Sequence, residues 1–516
     1  MSTAVTTTPV LHSSPIKNWE KIGNFVVLLA YSSVVLFTVR YHEKWADEAQ
    51  AWLLARDLDL KTLWFHELSY EGAPGLWHTI LWFAQRLFHA PYNSIGYIGV
   101  TFAIAGAALF IFKSPFPWYL RWPLAFTYFI AYQYAVIARP YTLLPLLCFA
   151  VAFCFNDANH PIRITLVLVV LANLSLHGTI LSACFGLLYL LQARRSWSAL
   201  HEKIRNQYFI CVALMALTFL FLFIVLKPTP DNEEFALKKE MAQLSDARKQ
   251  QLQIPTPLQK LKAIVSGAFL DSFAPSVIFL LLTAMWFAIR RRLLLFLLPT
   301  GMMVALYSAI HGYAHHHGTA VIATITSLWI AWPDEGELRT STKRDVWAMR
   351  GISALLLVLC AINIRDAAVA IKHEYLYPYS GAEDAANYLR SVGADHGAMF
   401  GLLYGVAGVQ AYFDHNIFAN LSTTYFHHGL PRLGTYLDTE ALQRIQPEYV
   451  VVYSVEPDLL LKAGAQELTG RGYEIVHFSD GYYLYKEGVY QREAYLIFRR
   501  IHPSGGQIPQ PVGPDK

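Results

Sequence analysis

Charge is what this chain has least of. Only 15% of its 516 residues are Asp, Glu, Lys or Arg, against about 25% in an ordinary soluble domain. The formal net charge of +4 is small and scattered among segment ends, which excludes a nucleic-acid surface. Cysteine is scarce as well. Cys148, Cys154, Cys184, Cys211 and Cys360 all fall in apolar runs and none in a long polar segment. That placement argues against disulfides and a thiolate metal site, and leaves small apolar packing groups. No small-residue cleavage site follows the first apolar run, so it reads as a retained helix. No internal repeat is found. Gly401, Gly405 and Gly408 lack the G-x-G-x-x-G spacing of a nucleotide loop and read as turns and strand ends.

Long apolar runs are what the chain does have. Hydrophobic residues make up 55% of it, and several stretches reach the roughly 17–25 residues needed to cross a bilayer. Candidate spans are 22–39, 94–112, 118–136, 141–155, 162–176, 178–192, 207–226, 264–289, 293–311, 318–332 and 349–365. Basic clusters at Arg194-Arg195, Arg290-Arg291-Arg292 and 339–350 mark cytoplasmic turns. Counting outward places residues 1–21 in the cytoplasm, with the 40–93 and 227–262 loops and the chain from about 366 outside. Parity permits one crossing between about 40 and 113, so the weaker run 74–88 is assigned to the interface. The expected architecture is a polytopic α-helical membrane protein of about 11 spans, in an inner membrane, with external juxtamembrane helices. Five tryptophans, Trp45, Trp52, Trp64, Trp77 and Trp82, crowd the 40–93 platform, where indole rings favour the headgroup level.

From about Tyr377 the composition turns polar, and a small external α/β domain is expected over 366–502. A helix is read at 382–391, strands at 398–403, 449–454 and 482–485, and a further helix at about 457–470. The Pro- and Gly-rich 503–516 tail reads as disordered.

Candidate chemistry gathers at the external segment ends. Asp47 and Glu48 follow the first span directly, although carboxylates avoid the hydrocarbon boundary. On a helix they point about 100° apart, so they divide their roles. One faces a reaction centre; the other caps, pairs with a cation or holds a metal, with Asp47 also placed to complement the helix dipole. Arg139-Pro140-Tyr141 forms a turn between apolar runs, where the guanidinium fork suits a phosphate or simply snorkels from a helix end. His315, His316 and His317 lie between two spans; they offer phosphate contact, a solvated loop or metal ligation. His177 stands at another helix end before Gly178, which permits close helix approach; it reads as a hydrogen-bonded interfacial histidine or as a supporting contact for the acceptor. Glu71 and His78 are supporting acceptor candidates, Glu71 alternatively capping the helix that starts at Pro74. Lys227, a candidate for the donor phosphate, opens the 227–262 loop, whose mixed apolar and charged residues read as a lid or as a plain solvated loop.

With these residues assembled, the chain resembles the GT-C superfamily of membrane glycosyltransferases, on the protein O-mannosyltransferase and aminoarabinose transferase branch. The matching elements are the early Asp-Glu, the following Pro-containing, Trp-rich helix, and the Arg-Pro-Tyr turn, over about residues 20–330. The resemblance implies transfer of a sugar from a polyprenyl-phosphate donor to an acceptor hydroxyl on a lipid, glycan or protein, outside the cytoplasm. It makes Asp47 the general base and Glu48 its neighbour in acceptor or metal handling, and it puts Arg139 and a histidine of 315–317 on the donor phosphate. Some relatives carry a second carboxylate just before the Arg turn; here Gln133 and Tyr134 stand there. The competing function is a transporter or flippase of lipid-linked saccharides, which predicts mid-membrane charges and paired interrupted helices in two similar halves.

Overall fold

The structure, a computed structural model, describes residues 18–232, 254–309, 314–334, 336–337, 342–426, 437–455, 466–486 and 490–501. The chain divides into two compact units. The first takes residues 1–42, 58–376 and 484–489; the second takes 43–57, 377–483 and 490–516.

The first unit is helical because its apolar runs must satisfy every backbone group internally. Among the described residues, five helices are long and apolar enough to cross a membrane: Asn18–Tyr41, Tyr92–Lys113, Leu176–Arg195, Glu202–Val225 and Lys343–Leu376. The pair Pro257–Ala268 and Phe273–Ile289 makes a sixth if counted as one span. The apolar helices Pro140–Phe155, Pro161–Ala172 and Leu293–Ala309 are shorter. All five cysteines are buried and free.

Two expected spans are broken. The 118–136 run is helical only over Trp118–Ala125; Phe126 leaves the helical region (φ −97°, ψ 11°) and a π-helical turn follows at Phe129–Gln133. Pro123, lying inside the helix, donates no backbone hydrogen bond, and the Thr127 hydroxyl donates to the buried Leu124 carbonyl at 2.7 Å. The 264–289 run is two helices meeting at 73°. Asp271 at the bend has φ +56°, a left-handed conformation in which Asp is tolerated. The carbonyl of Phe269 left over by the bend accepts from Asn363 at 3.0 Å and from Lys486 at 3.3 Å. Lys486 also pairs with Asp271 at 2.7 Å.

The 74–88 run begins its helix at Leu76 and ends at Phe88, burying Trp77, His78 and Leu81 along one side. The last helix is longer than the expected 349–365, running from Lys343 to Leu376. The second unit resumes at Tyr377, where the composition turns polar.

The second unit contains a four-stranded sheet in the order β1-β2-β4-β3. β1 is Met399–Leu402, β2 is Tyr449–Ser454, β3 is Tyr473–Leu484 and β4 is Tyr490–Arg500. β1 and β2 are parallel, and β2 and β4 antiparallel. Alternate residues of β2 enter different cores. Val451 and Tyr453 join Ala386 and Leu389 of the Ala382–Ser391 helix, whereas Val450 and Val452 join Leu442 and Leu468. The strand read at 482–485 is the end of the longer β3, and β4 was not anticipated. Residues 466–470 are helical; the remainder of the expected 457–470 helix, up to 465, lies outside the described residues.

Gly405 and Gly408 have packing roles. A Cβ on Gly405 would overlap the Tyr453 ring, and one on Gly408 would lie 2.7 Å from the Tyr495 hydroxyl. The expected 40–93 platform is not one body: residues 43–57 belong to the second unit and 58–93 to the first.

Candidate functional site

Pro140 biases the residue before it toward extended backbone. Arg139 accordingly sits at φ −119°, ψ 171°, immediately ahead of the 3-10 turn Pro140–Leu143 and the helix Leu144–Phe155. A second short turn, Ala314–His316, precedes the fully buried helix Gly318–Ala331. These two turns meet. Arg139 Nη1 donates to His315 Nε2 at 2.8 Å, and the Tyr134 hydroxyl donates to the His315 carbonyl at 2.8 Å. Because a guanidinium only donates, Nε2 of His315 must be the unprotonated nitrogen. Burial, and then the Arg139 charge, hold this imidazole well below its ordinary pKa.

Aromatic stacking extends the cluster. The Tyr141 hydroxyl shares a hydrogen bond of 3.1 Å with His177 Nδ1, and the Arg139 guanidinium lies 5.7 Å over the Tyr141 ring. His177 and His316 are 5.1 Å apart by ring centre, and Tyr307 stacks near both, at 5.2 and 5.6 Å. His177 is held at the start of its helix by the Ser175 cap, whose hydroxyl accepts the Gly178 N–H at 3.1 Å. A side chain at Gly178 would run into the Leu171 carbonyl, so close approach does require glycine there.

Five sequence candidates, Arg139, Tyr141, His177, His315 and His316, thus come together, with one permanent cation among aromatic and imidazole rings. Such a set suits a phosphate beside a polarisable group. Tyr134 and Tyr307 complete it and were missed, because tyrosines inside apolar runs carry no distinguishing pattern. His317 is buried at the N-cap of the Gly318–Ala331 helix. Among the described residues, no group of three or more His, Cys, Asp or Glu is arranged to hold a metal ion.

Lys227 is exposed just past the Glu202–Val225 helix. Asp231 of that loop accepts from the Tyr70 hydroxyl at 2.9 Å, and residues 233–253 of the expected lid lie outside the described residues. Glu71 ends the short helix Leu68–Glu71. It does not cap the next helix, whose N-cap is Gly75 with no side-chain hydrogen bond. His78 is buried on that helix.

Asp47 and Glu48 lie on the helix Ala46–Asp57 of the second unit. Glu48 is wholly buried, and its Oε2 accepts the Trp45 N–H at 3.2 Å. Glu48 thus caps the start of this helix. Asp47, one position earlier, is half-buried.

No family model and no curated protein matches this chain. Two solved structures do, both of ArnT from Cupriavidus metallidurans. The apo structure has a TM-score of 0.51 at 13% identity, and the structure bound to undecaprenyl phosphate 0.52 at 14%. Each comparison covers 92% of this chain and 98% of the other.

The chain has the ArnT fold.

ArnT is an aminoarabinose transferase, a GT-C glycosyltransferase, so the structural neighbour falls on the branch that the Asp-Glu and Arg-Pro-Tyr motifs resemble. The likeness to ArnT spans nearly the whole chain at low identity, and it is a likeness of fold.

Proposed function

We propose that this chain is a membrane glycosyltransferase that moves a sugar from a polyprenyl-phosphate donor to an acceptor hydroxyl on the external face of an inner membrane. The observation that carries the reading is the Arg139–Tyr141–His177–His315–His316 cluster on a fold shared with ArnT, one structure of which holds undecaprenyl phosphate. The reaction is a single displacement. Asp47 takes the proton of the acceptor hydroxyl as its oxygen bonds to the anomeric carbon. The bond from that carbon to the phosphate oxygen breaks, and polyprenyl phosphate leaves with the electron pair. Arg139 balances the departing charge, which needs a cation rather than a proton. Neutral His315 accepts from Arg139 and holds the guanidinium in place. Glu48 supports the Asp47 helix from within, and Lys227 stands at the loop end nearest the lid segment. About eleven crossings, amino end inside and carboxyl end outside, follow from the basic turns, with 74–88 at the interface.

The test is turnover of purified protein in vesicles supplied with a polyprenyl-phosphate sugar and acceptor. Asp47→Asn should lower kcat by about 10²–10⁴, and Arg139→Ala should raise the donor KM at least about tenfold, with Arg139→Lys in between. Unimpaired transfer by Asp47→Asn would falsify the base role. Sugar-lipid flux across vesicles without covalent turnover would instead mark a flippase.

A further inference from the structure

The Asp47 helix is gripped along its whole length by the rest of the second unit. Ahead of its first turn, the Trp45 ring packs against Tyr483 at 4.9 Å and Tyr379 at 6.4 Å. Toward its end, Arg56 Nη1 donates to the Phe413 carbonyl at 2.6 Å, and Asp57 accepts from the Thr424 hydroxyl. Between them, the Gln50 carboxamide closes a two-bond ring on one residue: Nε2 donates to the Phe426 carbonyl at 2.6 Å, and Oε1 accepts the Phe426 N–H at 2.8 Å. Gln50 is only 7% exposed.

The spacing gives this clasp its meaning. Residues three apart on a helix share a face, so Gln50 fixes the side of the helix from which Asp47 projects. A side-chain atom lies about 5–6 Å from the helix axis, so a rotation of about 10° displaces it by about 1 Å. A misplacement of about 1 Å can cost about a hundredfold in rate. A carboxamide that both donates to and accepts from one backbone residue resists that rotation in either sense, as a single hydrogen bond would not. Trp45 and Arg56 hold the two ends, and Gln50 adds a two-point hold one turn from Asp47.

We propose that Gln50 is a positioning residue for Asp47, setting the rotation of the Ala46–Asp57 helix through the Phe426 backbone. This rests on the reading of Asp47 as the base. The experiment compares wild type, Gln50→Met, Asp47→Asn and the double variant in the vesicle transfer assay, with thermal unfolding of each. Gln50→Met keeps the side-chain shape without either hydrogen bond. Its kcat should fall about 10- to 100-fold, with the donor KM unchanged within about twofold. In the Asp47→Asn background the same substitution should cost nothing further, because there is no base left to orient. Equal losses in both backgrounds would overturn the proposal and mark a merely structural contact. Wild-type kcat in Gln50→Met beside an inactive Asp47→Asn would overturn it too, while leaving the base reading intact. Wild-type turnover in Asp47→Asn would end both. Should Gln50→Met not fold, Gln50→Glu, which still accepts the Phe426 N–H, serves in the same cycle.

Discussion

Glu493 on β4 is wholly buried. Its carboxyl accepts from the Ser380 hydroxyl at 2.5 Å and the Gly381 N–H at 3.1 Å, and the Tyr483 hydroxyl meets its other oxygen. Burial pushes its pKa up to about 8; Glu43 pushes the same way, and the bonds from Ser380 and Gly381 oppose it. The folded chain therefore holds this proton more tightly than the unfolded chain does. Stability from the neutral carboxyl is complete below the ordinary glutamate pKa and is lost as pH rises through about 8. An elevation of this size is worth at most a few kcal/mol. The melting temperature of the wild type should fall from mildly acidic to mildly alkaline pH, and Glu493→Gln should flatten that slope. An unchanged slope would show that Glu493 is not the group responsible. At this scale the sequence was partly legible. Arg139 and the three histidines stood out because charged and polar groups at apolar segment ends are costly without a role. Glu493 did not, because its neighbours in sequence are as polar as it is.

Among the elements, the turn before the Gly318–Ala331 helix depends on a missing side chain. A Cβ on Gly318 would lie 2.7 Å from the Tyr134 hydroxyl and closer still to the Phe129 ring. Phe129 opens the π-helical turn and Tyr134 follows it, and Tyr134 binds the His315 carbonyl. Gly318→Ala should cost about 1–3 kcal/mol of stability through overpacking. It should also raise the donor KM by shifting His315 off Arg139; an unchanged KM would separate the turn from donor binding. Most single helices were legible from apolar runs, as the Asn18–Tyr41 and Leu176–Arg195 helices are. Breaks were not. The Phe129–Gln133 turn and the Asp271 bend lie in apolar stretches, and their freed backbone groups are satisfied by residues far along the chain, such as Asn363 and Lys486.

For the whole molecule, the division into units departs from chain order, because residues 43–57 complete the second unit. A fragment of 377–516 alone should therefore unfold at a lower temperature than the same fragment joined through a flexible linker to 43–57. Equal melting of the two would show that the helix contributes nothing to that unit. Composition and run length, read along the sequence alone, determined that the chain is built from apolar helices with a polar α/β region at its end. Those properties are local sums of hydrophobicity and alternation, and they survive without knowledge of neighbours. Tertiary structure alone decided which candidates meet and what each does. Arg139 reaches His315 across 176 positions, and Gln50 reaches Phe426 across 376. Hydrogen bonds depend on distance and direction in space, which no spacing along the chain encodes.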